Sequence, residues 1–446
     1  MKINFWNLQD MNVAERERIM NRAEADIGRA IEVVRPIIAD VKARGDAALI
    51  DYAAKFDGAR ITGGLKARDE DFARAYKRLD SAVAEAIRAL AANVRRHHEQ
   101  QMERVEPFWL GETAPGVYAG EKITAIDSVG LYVPRGKGAF PSVMYMLCLP
   151  AKIARVEKII VCTPPSPDGG FDDASLVAAD ICGVRDVYMA GGAQAIAALA
   201  YGTESIPPVV QVNGPGNAYV AAAKRILGRI VNPGLPSGPS EAIILADGSA
   251  DSWNTTLDLI NEAEHGSDSA SLLVTDSAEL AKDVAAHLPD VIAMLPQQRR
   301  KFCEDVFSGY GGIIVCQNMA DAIDFCNDYA VEHLLLKTRN ANDVVARLRN
   351  CGEILIGEST PIALANFGAG VNAVLPTGRM ARSYDCTSVW SFLKRTSVSY
   401  ATRDGLNGLR ATAEILARYE GFDGHALALR ERRDAQPSDF QIPAHA

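Results

Sequence analysis

Glu262 and His265 stand three residues apart in a stretch with helical periodicity, so both side chains fall on one helix face. A carboxylate and an imidazole at that spacing form a bundle-type metal pair. Zinc takes both donors, and a catalytic zinc keeps one position open for water or substrate. A plain ion pair at the helix surface, next to Gly266, fits the same spacing. Glu332 and His333 are adjacent at a helix-to-strand junction, where solvated polar residues are also ordinary. Two glycine turns suggest anion binding. Val187, Tyr188 and Met189 run into Gly191-Gly192, and residues 209–212 run into Gly214-Pro215-Gly216. Each turn opens onto an alanine-rich helix, where free N–H groups and the helix dipole converge. In a doubly wound sheet such turns lie at the carboxyl ends of strands. Gln194, Asn217 and Tyr219 sit near the helix starts, within reach of a ligand. Gly214-Pro215-Gly216 lacks the third glycine of a dinucleotide fingerprint, so two ordinary tight turns remain an equal reading.

An alternation of strands and helices must hold these residues. Residues 130–135 read as a strand entering a loop, 141–154 as a helix, 158–162 as a buried strand and 176–181 as a helix. With the strand at 187–189 this is β-α-β-α-β, which argues for a parallel sheet. After Gly238 a second series follows, with strands at 242–246, 270–275, 312–316, 333–337 and 353–356. Helices at 251–265, 277–288 and 319–328 lie between them. Upstream, residues 13–44 are helical, with Ile31, Val34, Ile38 and Val41 on one face. Gly45 stops that helix, and Asp46 can cap the next, which carries Leu49, Tyr52, Ala53 and Phe56 as a stripe. Residues 69–104 form a long helical stretch with a break near Asp80-Ser81. His97 and His98 lie on its arginine-rich part and read as solvated. Residues 105–129 are short β-prone pieces. From Ser388 onward the chain reads as helical and polar, and residues 437–446 as a frayed tail.

At 446 residues two or more domains are expected. A net charge of −9 argues against general nucleic-acid binding. No apolar run reaches the roughly 18 residues of a membrane span, and no basic head with an apolar core marks a signal peptide. The eight cysteines form no Cys-x-x-Cys pair. Cys148, Cys162, Cys182 and Cys316 lie in apolar runs and read as buried thiols of a reducing cytoplasm.

The run from Gly191 to Ser205 and the run Gly214-Pro-Gly-Asn-Ala-Tyr-Val220 resemble the histidinol dehydrogenase family, whose members are NAD-dependent and contain zinc. Further matches follow in family order: Gly130 to Pro134, Gly238 to Glu241, Ala263 to Gly266, Asn327 to Ala330 with Glu332-His333, Leu375 to Thr377, and Glu420-Gly421 with His425. The resemblance implies an α/β fold of two Rossmann-like parallel-sheet domains with small helical N- and C-terminal segments. Residues 1–28 would be a helical arm, 29–131 with 240–387 one discontinuous domain, 132–239 the NAD-contacting domain, and 388–446 a helical, dimer-forming tail. It implies zinc ligands at Glu262, His265, Asn366 and His425. The usual family pattern has Gln at the first position and Asp at the third, so the carboxylate and the amide have exchanged places here. The donors still suit a borderline-soft cation. Glu332 and His333 become the acid–base pair. Tyr132, Gln194 and Asn217 become NAD contacts. Ser240 and Glu420 contact substrate, together with Glu262, His265, His333, Asn366 and His425.

The reaction so implied oxidises a small alcohol to an aldehyde and then to an acid, sending two hydrides to NAD. The chain departs from the family in three places near the expected pocket. Gly370-Val-Asn-Ala373 replaces Gly-Thr-Asn-His, Val133-Pro134-Arg135-Gly136-Lys137 replaces the glycine-rich Val-Pro-Gly-Gly stretch, and Arg379 follows Leu-Pro-Thr. These changes suit an anionic or strongly polar alcohol better than L-histidinol. A true L-histidinol dehydrogenase, a sulfopropanediol dehydrogenase-like paralogue and a catalytically idle scaffold are the competing expectations. A homodimer with shared active sites is expected, without nucleic-acid or membrane partners.

Overall fold

The computed structural model describes residues 2–22, 24–135, 138–433 and 440. It divides into two compact units, residues 1–100 with 127–392, and residues 101–126 with 393–446.

Two parallel sheets organise the first unit. The larger has six strands in the order Phe5–Asn7, Gly312–Val315, Ala270–Thr275, Glu241–Ala246, His333–Lys337 and Glu353–Ile356, all parallel. Its central strands are near-continuous apolar runs, buried on both faces, as parallel strands under two helix layers must be. Successive side chains alternate between two cores. Ile244, Leu273 and Leu335 meet Leu259, Val284 and Phe307 of the helices on one face. Ile243, Leu272 and Leu334 meet Ile19, Phe325 and Tyr329 on the other. The smaller sheet has four parallel strands in the order Val187–Met189, Lys158–Thr163, Ser128–Tyr132 and Gln211–Asn213. Helices Gly192–Tyr201 and Ala218–Leu227 cover one face, and Pro141–Ile153 packs on its two central strands.

Several expectations are corrected. Residues 29–131 are expected with the six-stranded sheet, but the helix Glu24–Arg44 buries Val34, Ile38 and Val41 in one core with Tyr132, Ile160 and Tyr188 of the four-stranded sheet. Its apolar stripe is legible in the sequence, whereas its docking partner is a matter of topology. Residues 1–28 are not only a helical arm, because Phe5–Asn7 pairs as the edge strand of the large sheet. Asp46 does not cap. Gly45 is the N-cap, and the Asp46 carboxylate accepts the Ser205 N–H at 3.3 Å. His98 is not solvated. It continues the buried stripe of Ile87, Ala91 and Val94 on Ser81–Met102, and its Nε2 lies 3.4 Å from the Asn372 amide.

In the second unit, Phe108–Ala114, Val117–Ala125 and Leu393–Ala401 form an antiparallel three-stranded sheet, and Arg403–Tyr419 and Asp423–Arg430 form a helix pair. The C-terminal segment is therefore not wholly helical. Lys394-Arg395-Thr396-Ser397 is polar and largely exposed, so it carries no hydrophobic alternation to betray a strand. The expected frayed tail lies outside the described residues apart from Phe440. All eight cysteines are free, with Cys148, Cys162, Cys182 and Cys316 buried as expected. Among the described residues no helix is long and apolar enough to cross a membrane.

Truncating Ile38 tests the docking of the long helix. Ile38→Ala should cost about 2–5 kcal/mol in a urea-unfolding measurement. Val33→Ala, at an exposed position of the same helix, should stay within about 0.5 kcal/mol.

Candidate active site

The acid–base candidates lie at the amino ends of three neighbouring strands of the six-stranded sheet. Ser240 immediately precedes Glu241–Ala246, Glu332 immediately precedes His333–Lys337, and Glu353 opens the edge strand. Parallel pairing sets His333 opposite Ala242 on one side and Glu353 on the other. Helix Ser252–Ala263 returns antiparallel to the strands and ends at the same edge, delivering Glu262. His265 lies just past that helix, beyond the C-cap Glu264, rather than on it. The turn still brings its Nδ1 to 3.3 Å from Glu262 Oε2.

A chain of short contacts joins these groups. Glu332 Oε2 accepts the Glu241 N–H at 2.9 Å, and Glu241 Oε1 accepts the Gly378 N–H at 2.9 Å. Arg22 Nε lies 3.1 Å from Glu241 Oε1, and its guanidinium sits 3.4 Å from the centre of the Tyr329 ring. His333 Nδ1 is 2.5 Å from Glu353 Oε1, and His333 Nε2 is 3.7 Å from Glu332 Oε1. Asn366 Nδ2 donates to Glu262 Oε1 at 2.7 Å. The Gly378 contact also places Arg379, in the left-handed region at φ 67°, one residue from this cluster. Arg22, Glu241 and Glu353 are missed by sequence reasoning. Glu241 and Glu353 carry a signal in hindsight, since each is a charged residue opening an apolar strand.

Burial decides the electrostatics. Glu241, Glu262, Glu332 and Glu353 are all buried, against the buried cations Arg22 and His333. Burial lifts the Glu332 carboxyl well above the carboxylate range, and the Glu262 carboxylate adds to it. Burial also lifts Glu241, with Arg22 opposing. Burial would push the His333 imidazolium down, but the surrounding glutamates outweigh it and raise its pKa. Glu262 goes the other way. Burial would raise it, yet His265, His333 and the hydrogen bonds from Asn366 and Ser240 hold it below its ordinary value. It therefore stays anionic, as a cation ligand must.

Three of the four proposed metal donors meet in this unit. His265 Nδ1 lies 3.0 Å from the Asn261 carbonyl, which requires a proton on Nδ1 and leaves Nε2 as a lone-pair donor. Among the described residues no group of three His, Cys, Asp or Glu side chains is placed to hold a metal. Glu262 and His265 supply two such groups, and the third donor, Asn366, is an amide whose N–H₂ end faces Glu262. The mixed carboxylate, imidazole and amide set fits a borderline cation. Glu420 and His425 lie in the second unit, both exposed, at the end of Arg403–Tyr419 and on Asp423–Arg430.

The cofactor candidates gather at the carboxyl edge of the four-stranded sheet. Tyr132 ends its strand, and its buried hydroxyl accepts the Gly192 N–H at 3.0 Å. Gly214 has φ 127°, and a Cβ there would lie 2.1 Å from the Tyr132 carbonyl oxygen, so only glycine fits the turn. Gln194 is buried in the first turn of Gly192–Tyr201. Asn217 caps Ala218–Leu227, its Oδ1 accepting the N–H groups of Tyr219 and Val220 at 3.1 and 3.2 Å. Arg135 donates to the Pro165 carbonyl at 3.2 Å on this edge, and Lys137 lies outside the described residues. Lys224 is a further residue that sequence reasoning missed. Its buried Nζ donates to Gly214 O at 3.1 Å and Leu235 O at 3.2 Å, and burial brings its pKa down to about 8. The segment after Leu235 runs to the acid–base edge. Gly238 N–H donates to Thr377 Oγ1 at 2.7 Å beside a cavity of about 190 Å³.

Comparison with known proteins places the chain. A profile of the histidinol dehydrogenase family matches residues 20–433. Histidinol dehydrogenase of Synechocystis sp. is 46% identical over 97% of this chain and 99% of its own length. Histidinol dehydrogenase homolog 2 of Mesorhizobium japonicum is 47% identical over 97% of this chain and 98% of its own. The crystal structure of histidinol dehydrogenase from Elizabethkingia anophelis matches with a TM-score of 0.87 at 28% identity, over 96% of this chain and 97% of that one. The chain belongs to the histidinol dehydrogenase family. Its chemistry is accordingly that of an NAD-dependent oxidoreductase acting on CH–OH groups.

Lys224 gives a pH-dependent outcome. Its folded pKa of about 8 lies below the ordinary 10.5, so between those values the unfolded chain binds more protons. Stability from this group therefore rises with pH across that window, by at most about 1.4 kcal/mol per pH unit. Urea midpoints taken from pH 8 to 10 should show that rise in the wild type and lose it in Lys224→Met.

Proposed function

We propose that this protein oxidises a small polar primary alcohol through the aldehyde to the carboxylate. The overall change consumes the alcohol, one water and two NAD, and yields the carboxylate, two NADH and three protons. The observation that carries this reading is the buried Glu332–His333 pair beside the anionic Glu262. His333, once it has released its own proton, accepts the alcohol proton. Glu332 orients and deprotonates the water that hydrates the aldehyde, and His333 serves again in the second oxidation. Zinc held by Glu262, His265, Asn366 and His425 would supply Lewis-acid polarisation of the substrate oxygen. Tyr132, Gln194 and Asn217, at the carboxyl edge of the small sheet, would hold NAD, which would supply the hydride acceptor for each oxidation. Ser240 and Glu420 hold the substrate, and the reaction runs in the cytoplasm.

The substrate is an alcohol bearing an anionic or strongly polar group. Ala373 offers no ring where an imidazole would otherwise stand, and Arg379 adds a cation directly after Gly378, whose N–H meets Glu241. Arg135, by its contact with Pro165, belongs instead to the cofactor edge. L-Histidinol is the competing substrate, because relatives named as the dehydrogenase and as its homologs match equally well.

Steady-state rates over a panel of small alcohols, L-histidinol included, decide between them. An anionic alcohol should be turned over best. Ala373→His should raise efficiency on histidinol roughly tenfold to a hundredfold. His333→Asn should lower kcat about 10²- to 10⁴-fold. Glu332→Gln should give nearer one NADH per alcohol than two. Metal analysis of the same preparations should find about one zinc per chain. Histidinol as best substrate would overturn the substrate class alone, while an inert His333→Asn result would overturn the mechanism.

The working form is proposed to be a homodimer that shares sites. Ile415, Leu416, Tyr419 and Phe422 are all strongly exposed around the end of Arg403–Tyr419, a patch that suits burial by a second copy. Glu420 and His425 border it. Mixing His425→Ala with Glu332→Ala chains should then restore part of the activity, and no recovery under proven subunit exchange would place each site within one chain.

A further inference from the structure

Glu353 has no assigned role, yet it is placed as tightly as any group in the site. It opens the edge strand Glu353–Ile356, and backbone pairing sets its Cα opposite that of His333. Its N–H donates to the Glu332 carbonyl at 3.0 Å. The preceding Gly352 lies so close that a Cβ there would be 2.5 Å from the same carbonyl oxygen. The carboxylate is thus delivered by strand register, not by a loop. Both side chains are almost wholly removed from water, at 3% exposure for His333 and 6% for Glu353. Oε1 is 2.5 Å from His333 Nδ1, and the buried Oε2 has no partner. A buried carboxylate is costly unless it is paired, and among the described residues His333 is its partner within ion-pair distance.

We propose that Glu353 is the positioning residue of His333. It accepts a hydrogen bond from Nδ1–H, which fixes the ring tautomer and leaves the Nε2 lone pair toward Glu332 and the alcohol. When Nε2 takes the alcohol proton, the resulting imidazolium is stabilised by the Glu353 carboxylate, which itself stays ionised. The proton passes from the alcohol oxygen to Nε2, and the Nδ1–H bond is retained. This is the logic by which a buried carboxylate orients a catalytic imidazole elsewhere. It rests on His333 being the proton acceptor proposed above.

The test uses the full-length, zinc-loaded protein. Glu353→Gln preserves size but presents an amide that can donate to Nδ1 and invert the tautomer. It should lower kcat about 10²- to 10⁴-fold while KM for NAD stays within about twofold. Glu353→Asp, which keeps the charge, should recover part of the loss. Nitrogen-15 NMR of the histidine rings, with His333 assigned by comparison with His333→Asn, gives a readout independent of turnover. At alkaline pH, where the ring is neutral, the wild type should show His333 protonated on Nδ1, and Glu353→Gln should shift that proton to Nε2. A wild-type neutral ring protonated on Nε2 would overturn the proposal, even if no variant folds. So would a Glu353→Gln enzyme within about threefold of wild-type kcat. If the wild type oxidises no alcohol in the panel, the dehydrogenase reading falls, while the ring-nitrogen pattern still decides the Glu353–His333 pairing.

Discussion

Glu241, Glu262, Glu332 and Glu353 are removed from water at a single sheet edge, and much of the large domain is arranged to tolerate it. An isolated buried carboxylate costs several kcal/mol, so each needs a donor or a cation. The donors come from far apart in the chain. Arg22 arrives from the N-terminal region, Gly378 and Asn366 from the segment after the last strand of this sheet, and His333 from the neighbouring strand. Burial favours the neutral form of the Glu332 carboxyl, while Glu262 keeps its charge beside His265 and Asn366.

The two sheets use opposite ends for opposite charges. In the four-stranded sheet the polar residues lie at the carboxyl ends, where helix N-termini and their free N–H groups favour anions such as a pyrophosphate. In the six-stranded sheet they lie at the amino ends, where Ser252–Ala263 terminates. That end of a helix carries partial negative charge and favours cations. The usual placement of ligands at the carboxyl ends of strands therefore holds for one sheet only. The segment from Leu235 to Glu241 bridges the two edges, anchored by Lys224 at one end and Thr377 near the other.

Local order was legible where hydrophobic period was strong. Continuous runs such as Ile243-Ile244-Leu245 and Leu334-Leu335-Leu336 marked central strands, and the stripe of Val34, Ile38 and Val41 marked a helix. What that helix packs against was not legible, because an apolar stripe does not name its partner. The edge strands were missed for a related reason. Phe5–Asn7 and Leu393–Ala401 are short or two-sided polar, and edges need little burial. Of the site, Glu262, His265 and the Glu332–His333 pair could be singled out by type and spacing. Glu353 and Arg22 could not, since only an ion pair from Arg22 to the distant Glu241, or one strand register, brings them in.

The strand Phe5–Asn7 has a further consequence. It pairs with residues 313–315, so its hydrogen-bonding partner does not exist until about three hundred more residues have been synthesised. At roughly 5–20 residues per second, ~15–60 seconds pass before the large sheet can close, and Arg22 reaches Glu241 only within that closed sheet. A segment made early is thus among the last to dock. During that interval the aromatic pair Phe5-Trp6 and the helix that follows wait without their sheet partner.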